Sequence, residues 1–307
     1  MGIRECISTR DSVLMEGALG ERLKREYHLR FDPQVAMARL VETPRGRAAL
    51  EALWSQYIDI ARRYDLPFLA TTTTRRANRE RMAAVGRGWE LLEWNVRFLR
   101  GIQEKSGVEM YVGGLMGCRG DAYTGEGALT EAEAYEFHRW AAEGFCRAGV
   151  DFLYAGIMPA LPEAAGMARA MESAGAPYLI SFTIQKDGRL IDGTAIADAI
   201  RYIDSVTKES PLCYMTNCVH PSIGREALAQ PWNQNETVRS RFWGIQGNTS
   251  PLSYAELDAS VDLKCSEPEP FAAEMLRLRG SGIRIFGGCC GTDHRHMEEI
   301  AKGLRNA

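Results

Sequence analysis

Short runs of β-branched and aromatic residues alternate with longer helical patterns along the whole of this 307-residue chain. Such alternation indicates repeated βα units around a parallel sheet. Eight runs are predicted as strands, at 12–16, 67–71, 109–113, 151–155, 177–182, 212–217, 241–246 and 283–287. Eight units in a chain of this length favour a closed (β/α)8 TIM barrel over an open sheet. We therefore predict a single α/β barrel domain over residues 1–307.

The segments between the predicted strands carry helical patterns with their own caps. The predicted helices are 47–64, 79–106, 130–148, 161–174, 194–205 and 267–281. Thr130 and Glu133 form a capping-box pattern, and Gly149 and Gly175 are expected to end the helices before them. Longer insertions at 117–129 and 223–238 each follow a strand, so we expect them at the C-terminal face, where barrel enzymes build their active sites.

Charge and hydropathy limit the partners. The chain has 37 basic and 40 acidic residues, a net charge of −3 and no long single-sign run, which argues against nucleic acid or an anionic membrane. No segment approaches the ~18 continuous apolar residues of a membrane span, and the N-terminus is too polar for a secretory signal. We expect a cytoplasmic protein whose cysteines remain thiols. The oligomeric state is left open, and a homo-oligomer is one possibility.

Three cysteines follow predicted strands that end at the same face of the barrel: Cys218 after the sixth, and Cys289 and Cys290 after the eighth. Neighbouring side chains on a strand point to opposite faces, but the glycines around this pair allow both sulfurs to turn to one point. A buried thiol or a vicinal disulfide are the alternatives for an isolated Cys-Cys pair. The third cysteine favours a three-thiolate zinc site with an open fourth position, which is typical of catalytic zinc.

Other cysteines and histidines are expected outside this site. Strand alternation predicts that Cys213 points toward the helical layer, and Cys146 lies inside an amphipathic helix. Three further cysteines lack a partner at ligand spacing: Cys6, Cys118 and Cys265. We expect His294 and His296 on a solvated helix face. His220 either supports the metal site or is an ordinary loop residue, and the sequence leaves both open.

A zinc held by three thiolates activates water poorly, but it keeps an added sulfur ligand deprotonated and nucleophilic. Such a sulfur can attack the methyl group of a sulfonium or quaternary ammonium, a reaction that needs alignment more than acid and base. We therefore predict a zinc-dependent thiol S-methyltransferase. Four aromatic residues are candidates for a wall against the onium methyl, with core packing or loop anchoring as the alternatives: Trp54, Tyr123, Trp232 and Trp243.

The chain resembles the homocysteine S-methyltransferase family, which includes betaine, S-methylmethionine and cobalamin-linked enzymes. The motifs are Glu16-Gly-Ala-Leu-Gly20, Thr71-Thr72-Thr73-Thr74, Val112-Gly-Gly-Leu-Met-Gly117, Asn217-Cys218-Val-His-Pro221 and Gly287-Gly-Cys-Cys-Gly291-Thr. The resemblance implies a zinc-bearing barrel with Cys218, Cys289 and Cys290 as ligands. It also implies small-molecule substrates, an onium donor such as S-methylmethionine, S-adenosylmethionine or betaine and a thiol acceptor, and a place in methionine biosynthesis. Substrate contacts are expected from Glu16, Gly17, Thr72, Gly156 and Asn217.

The departures from the family pattern concern the amino acid substrate. Family members carry Asp-Gly where this chain has Glu16-Gly17, and a glutamate that holds the homocysteine ammonium where this chain has Gly156. Loss of one partner of a buried charge pair typically costs about 3–5 kcal/mol. Homocysteine is therefore expected to bind weakly unless Glu16 compensates, and the acceptor is homocysteine or another thiol.

Two other functions are compatible with the same residues. One is a non-catalytic zinc- or thiol-binding relative that kept the three cysteines but lost methyl transfer. The other is a barrel enzyme of unrelated chemistry that uses carboxylates such as Glu16 as acid and base.

Overall fold

Eight parallel strands close into a barrel in chain order, with β8 paired to β1. The computed structural model describes residues 2–252 and 266–305. Its strands are β1 (Val13–Met15), β2 (Phe68–Thr71), β3 (Met110–Gly117), β4 (Phe152–Met158), β5 (Tyr178–Phe182), β6 (Tyr214–Val219), β7 (Phe242–Gly247) and β8 (Ile285–Gly288). Each lies on a predicted run, which confirms the (β/α)8 TIM barrel.

Strands β3 and β4 continue beyond their predicted ends. β3 extends to Gly117, and β4 to Met158. The strand predicted at 109–113 therefore continues through Gly113 and Gly114. The rings of Phe152 and Phe145 lie where Cβ atoms on these glycines would be, 2.4 and 2.6 Å away. The glycines therefore make room for rings packed against the strand and do not form a turn.

Helices surround the barrel. They are α1 (Ile3–Thr9), α2 (Gly20–Arg25), α3 (Pro44–Arg63), α4 (Arg79–Ala84), α5 (Trp89–Ser106), α6 (Glu131–Ala148), α7 (Leu161–Ala174), α8 (Ile196–Val206), α9 (Pro221–Leu228), α10 (Glu236–Arg241), α11 (Pro268–Arg277) and α12 (His294–Arg305). In the described part of the chain, three 3-10 segments accompany them: Met37–Glu42, Pro231–Asn233 and Leu278–Ser281. None of the helices within the described residues is long and apolar enough to cross a membrane.

The predicted caps are present. Thr130 and Glu133 make a reciprocal capping box at the start of α6. Gly149 and Gly175 end α6 and α7 with φ of +80° and +88°, a conformation that glycine adopts at little cost. Asp293 Oδ1 accepts from the backbone N–H of Arg295, 2.9 Å away, at the start of α12. Local capping rules therefore describe these helix ends correctly.

The helix predictions were wrong in two respects. The predicted helix 79–106 is two helices, because Gly86 between α4 and α5 has φ of +66° and the Gly88 N–H bonds to the Glu90 side chain as α5 begins. Helices α1, α2, α9 and α10 were not predicted, and the last two fall in or beside the insertion at 223–238. Each has eight residues or fewer, too short for a clear periodic pattern.

Two apolar layers hold the barrel together. An outer layer lies between the strands and the helices, and an inner cluster inside the barrel includes Met15, Leu69 and Met215. Helix α1 packs Ile3 and Ile7 against the inner cluster. Helix α1 precedes β1, so it covers the end of the barrel where the strands begin. The opposite end, at the carboxyl ends of the strands, is where barrel enzymes place their chemistry.

Candidate metal centre and active site

Cys218, Cys289 and Cys290 meet at the C-terminal end of the barrel. Cys218 lies near the end of β6, and the other two follow β8 directly. Their Sγ atoms all lie within 4.8 Å of one another, and Cys290 Sγ is 3.7 Å from Cys218 Sγ and 4.0 Å from Cys289 Sγ. Thiolates about 2.3 Å from a tetrahedral zinc are about 3.8 Å apart. The spacing of the three predicted ligands therefore fits a zinc ion.

The backbone around the cysteines is unusual. Cys218 has φ of +63°, in the left-handed region, where β6 shifts register against β7. A Cβ on Gly288 would lie 2.3 Å from Thr292 Oγ1, and that hydroxyl donates to the Cys289 carbonyl at 2.7 Å. Gly291 also has a positive φ, +80°. These glycines allow the tight turn that carries both sulfurs, as the sequence predicted.

The three sulfurs differ in proton affinity. Interaction with the Cys289 and Cys290 thiols lowers the pKa of Cys218 well below its usual value. The same interaction with Cys218 raises the pKa of Cys289, and it raises that of Cys290 to about 12. Of the three sulfurs, Cys218 is therefore the one whose thiolate form is favoured. Three thiolates this close together require a cation, and metal binding releases such protons.

The β3–α6 loop, residues 118–130, covers one side of the sulfurs. The Tyr123 hydroxyl donates to Cys218 Sγ at 3.1 Å. Ala122 packs with Ile157 and Cys218 in a small apolar cluster. Asp121 Oδ1 accepts from the Tyr123 backbone N–H at 2.8 Å and shapes the turn. The loop thus contributes both an apolar contact and a hydrogen bond to the site.

Glu163, in the first turn of α7, anchors the β3–α6 loop. Its carboxylate is fully buried and accepts from the backbone N–H groups of Arg119 at 2.7 Å and Leu129 at 3.3 Å. It also bonds to His138 Nε2 at 3.0 Å, and burial lowers the pKa of that histidine. Sequence reasoning missed Glu163, because a glutamate at the start of a helix is ordinarily a solvated residue.

Of the four aromatic residues predicted as a methyl-donor wall, Tyr123 contacts the sulfurs. Trp54 is buried in the core between sheet and helices. Trp232 and Trp243 each stack on an arginine guanidinium, with Cζ 4.9 and 3.6 Å from the ring centroid. Trp243 lies at the start of β7, the opposite end of the barrel. Core packing and loop anchoring, the predicted alternatives, therefore account for the three tryptophans.

Glu16 follows β1 and is buried beside the turn that carries the cysteines. Its carbonyl accepts from the Gly288 N–H at 2.9 Å. Its side-chain Oε1 accepts from the Thr71 N–H at 3.2 Å and from the Thr71 hydroxyl at 2.5 Å. Oε2 is buried and has no hydrogen-bond partner among the described residues. Burial raises the pKa of this carboxyl to about 7. A buried, unpartnered carboxyl oxygen marks Glu16 as a candidate ligand contact.

Gly156 and Asn217 lie together on the inner side of the barrel mouth. A Cβ on Gly156 would lie 2.8 Å from Leu115 Cδ1 and 3.8 Å from Asn217 Nδ2. Asn217 Oδ1 accepts from the Ile157 N–H at 3.0 Å and from the Ser181 hydroxyl at 2.7 Å. Its Nδ2 is therefore the side that can meet a ligand. Leu115, which sequence reasoning missed, occupies the space beside Gly156.

Thr72 and Gly17 have structural partners. Thr72 Oγ1 accepts from the Leu115 N–H at 3.1 Å and lies 2.6 Å from Thr74 Oγ1. A Cβ on Gly17 would lie 2.7 Å from the Tyr57 hydroxyl, so this glycine makes room for the tyrosine ring. Contacts of Glu16, Gly17, Thr72, Gly156 and Asn217 with substrate stay predictions.

The other cysteines in the described part of the chain lie outside the sulfur cluster. Cys213 was predicted to face the helices, but it is buried with Met215 inside the barrel. That prediction is therefore wrong. The left-handed turn at Cys218 breaks the alternation on which that prediction relied. Cys6 is also buried in the inner cluster, and Cys118 is half-buried in the β3–α6 loop. Cys146 is half-buried on α6, and Cys265 lies outside the described residues.

His296 and His220 hold nearby segments together. His296 is buried, with Nδ1 2.9 Å from Asp293 Oδ1 and Nε2 3.0 Å from the Ser266 carbonyl, so the predicted solvated face is wrong for this residue. His220 Nδ1 accepts from the Ser222 N–H at 3.2 Å and caps α9, and its Nε2 lies 3.4 Å from Ser266 Oγ. His220 therefore supports the loop next to Cys218 rather than joining the sulfurs.

The chain is similar in sequence to known proteins. Homocysteine S-methyltransferase YbgG of Bacillus subtilis (strain 168) is 28% identical over 188 residues, covering 61% of this chain and 57% of that protein. Betaine--homocysteine S-methyltransferase 1 of Mus musculus is 25% identical over 189 residues, covering 57% of this chain and 45% of that protein. The chain thus spans about half the length of the curated relatives it matches.

The fold has a close structural counterpart. The metallated form of the homocysteine methyltransferase MmuM from Escherichia coli superposes with a TM-score of 0.76 at 20% identity, covering 98% of this chain and 99% of that one. At that identity the likeness shows the fold. The model of the homocysteine S-methyltransferase family matches residues 13–304, nearly the whole chain, and includes all three clustered cysteines. The chain therefore belongs to the homocysteine S-methyltransferase family.

Proposed function

We propose that this protein is a zinc-dependent S-methyltransferase that moves a methyl group from an onium donor to a thiol, homocysteine or a related one. The observation that carries the proposal is the cluster of Cys218, Cys289 and Cys290 sulfurs, spaced as zinc ligands at the active-site end of the barrel. Relatives named homocysteine S-methyltransferases support a thiol acceptor, and the betaine--homocysteine relative supports an onium donor.

Zinc fits the three sulfurs by donor type and by spacing. When bound, it supplies a positive centre that keeps a coordinated thiol deprotonated near neutral pH. Cys218, Cys289 and Cys290 would hold it. The chain's own thiols cannot provide three thiolates without that charge, because the pKa values of Cys289 and Cys290 are raised by their interaction with Cys218.

Apolar side chains and one hydroxyl contact the sulfurs. Ile157 and Ala122 pack against Cys218 on one side. The Tyr123 hydroxyl donates to Cys218 Sγ and lowers the charge density on that sulfur. A methyl displacement needs the two substrates aligned and dry, and it does not require a general acid or base. An apolar rim with one hydroxyl therefore suits this reaction. The proposal includes small-molecule substrates, a cytoplasmic location and a role in methionine biosynthesis.

The proposal is tested by metal content and methyl transfer measured together. Purified protein is expected to bind one zinc per chain and to methylate homocysteine or a related thiol from S-methylmethionine, S-adenosylmethionine or betaine. Cys290→Ser should lose most of the zinc and the activity. Cys146→Ser is the matched control, since Cys146 is a half-buried thiol on α6 outside the sulfur cluster, and it should keep both.

The other outcomes favour the alternatives. Stoichiometric zinc without methyl transfer to any thiol, over the whole donor panel, would support a non-catalytic metal-binding relative. Activity that survives complete removal of metal by chelation would contradict the zinc mechanism. It would favour a barrel enzyme that relies on carboxylates such as Glu16.

A further inference from the structure

The wall of the site on the β4 side is apolar at the sulfurs. Ile157 packs against Cys218 and Ala122. Its φ of +51° is unusual for a β-branched residue, and its backbone N–H donates to Asn217 Oδ1 at 3.0 Å. Strain of this kind persists only where the surroundings impose it. The side chain of Ile157 is therefore held against the thiolate by the fold.

The space above Gly156 is filled by a leucine. Leu115 Cδ1 lies 2.8 Å from the position of a Cβ on Gly156. The backbone of Leu115 is fixed on both sides, because its N–H donates to Thr72 Oγ1 at 3.1 Å and its carbonyl accepts from Thr74 Oγ1 at 2.8 Å. The two hydroxyls lie 2.6 Å apart and bond to each other. The side chains of Thr72 and Thr74 thus hold Leu115 in place over Gly156.

The polar group beside Gly156 is a hydrogen-bond donor. Asn217 Oδ1 already accepts from the Ile157 N–H and the Ser181 hydroxyl, so the orientation of the amide is determined. Its Nδ2 lies 3.8 Å from the Gly156 Cβ position. An amide N–H stabilises a carboxylate or carbonyl oxygen, and it offers nothing to an ammonium group.

The side chain of Glu16 also suits a ligand carboxylate. Its Oε1 is occupied by Thr71, and its Oε2 is buried without a partner among residues 2–252 and 266–305. Burial raises the pKa of Glu16 to about 7, so at and below that pH a large share of the carboxyl is neutral, and Oε2 of this form carries the proton and donates. A ligand carboxylate is compatible with both Glu16 in this form and Asn217 Nδ2.

We infer that the methyl acceptor is a thiol that carries a carboxylate and no ammonium, and 4-mercaptobutanoate, which is homocysteine without its amino group, is the probe for it. The inference rests on the proposed methyl transfer for its chemistry, and on Leu115, Gly156 and Asn217 for its specificity. In the proposed reaction the acceptor sulfur forms a bond to the methyl carbon as the donor's carbon–heteroatom bond breaks. The thiol proton is released to solvent, and the electron pair of the broken bond leaves with the donor, which departs as a thioether or amine.

The test compares three thiols of matched length on the zinc-bound protein. Homocysteine has both groups, 4-mercaptobutanoate lacks the ammonium, and 3-aminopropanethiol lacks the carboxylate. Isothermal titration calorimetry is expected to show 4-mercaptobutanoate binding at least tenfold more tightly than homocysteine, with 3-aminopropanethiol the weakest. Homocysteine binding as tightly as 4-mercaptobutanoate, or more tightly, would overturn the inference.

A pair of variants separates charge from shape. Leu115→Ala/Gly156→Glu places a carboxylate in the space that Leu115 leaves, and Leu115→Ala/Gly156→Gln places a neutral side chain of the same size there. The glutamate variant should bind homocysteine at least tenfold more tightly than the glutamine variant. Equal binding by the two would contradict a role of charge at this position. The wild-type comparison stands by itself if either variant does not fold.

The failure of this inference is distinct from the failure of the proposed function. If homocysteine is both the tightest ligand and the best methyl acceptor, the specificity inference fails while methyl transfer stands. If the binding order is as expected but no thiol is methylated, the acceptor pocket stands and the catalytic proposal fails.

Discussion

Replacing Glu16 with glutamine is expected to remove a pH-dependent cost of folding. The carboxyl is 4% exposed, and burial raises its pKa from 4.5 to about 7, although Thr71 donates two hydrogen bonds to Oε1. Glutamine has the same shape as the protonated carboxyl. It can keep the carbonyl oxygen toward Thr71 and place its amide N–H₂ where the protonated Oε2 lies.

The magnitude follows from the two pKa values. A carboxyl whose pKa is raised in the folded state contributes fully below the unfolded value of 4.5, and that contribution is lost as pH rises toward about 7. The full loss corresponds to about 3 kcal/mol at 1.36 kcal/mol per pKa unit. Between pH 5 and pH 8 the wild type should therefore lose about 2.5 kcal/mol that Glu16→Gln does not lose.

Urea unfolding of both proteins at pH 5 and pH 8 measures this difference. Comparing the change in one protein with the change in the other cancels the titration of the cysteines and of other groups. The variant should be the more stable protein at pH 8 and should differ much less at pH 5. Parallel pH dependence in the two proteins would refute the assignment of a neutral, buried Glu16.

Three further substitutions test other parts of the structure. Glu163→Ala leaves buried N–H groups unpaired, so urea unfolding should show a loss of about 3 kcal/mol in the free energy of unfolding. Glu136 is exposed, and the control Glu136→Ala should change that free energy by less than about 0.5 kcal/mol. Gly288→Ala places a Cβ 2.3 Å from Thr292 Oγ1, so it should lower the free energy of unfolding by about 1–3 kcal/mol. It should also weaken zinc binding. Gly101→Ala, in open space within α5, should raise the melting temperature through about 0.5–1 kcal/mol of added stability.

Strand periodicity and helix capping were readable without a structure because they are local. The eight βα units, the cap at Thr130 and the glycine stops depend on residues near one another in the chain. The break between α4 and α5 was not readable, since glycine is tolerated inside helices and its positive φ at Gly86 depends on the packing of both helices.

The sequence by itself determined the barrel and the meeting of Cys218, Cys289 and Cys290 at one end of it. Parallel strands that alternate with helices end on the same face, so residues that follow them are brought together whatever their separation in the chain. The family match over residues 13–304 agrees with that conclusion.

The tertiary structure alone decided what surrounds the sulfurs. Leu115 covers Gly156, Tyr123 bonds to Cys218, and Cys213 faces the barrel interior, none of which follows from residue type or spacing. These contacts depend on strand register, on the left-handed turn at Cys218 and on the path of a loop. Such features arise from packing between distant segments, so they are decided by the tertiary structure and not by any local pattern in the sequence.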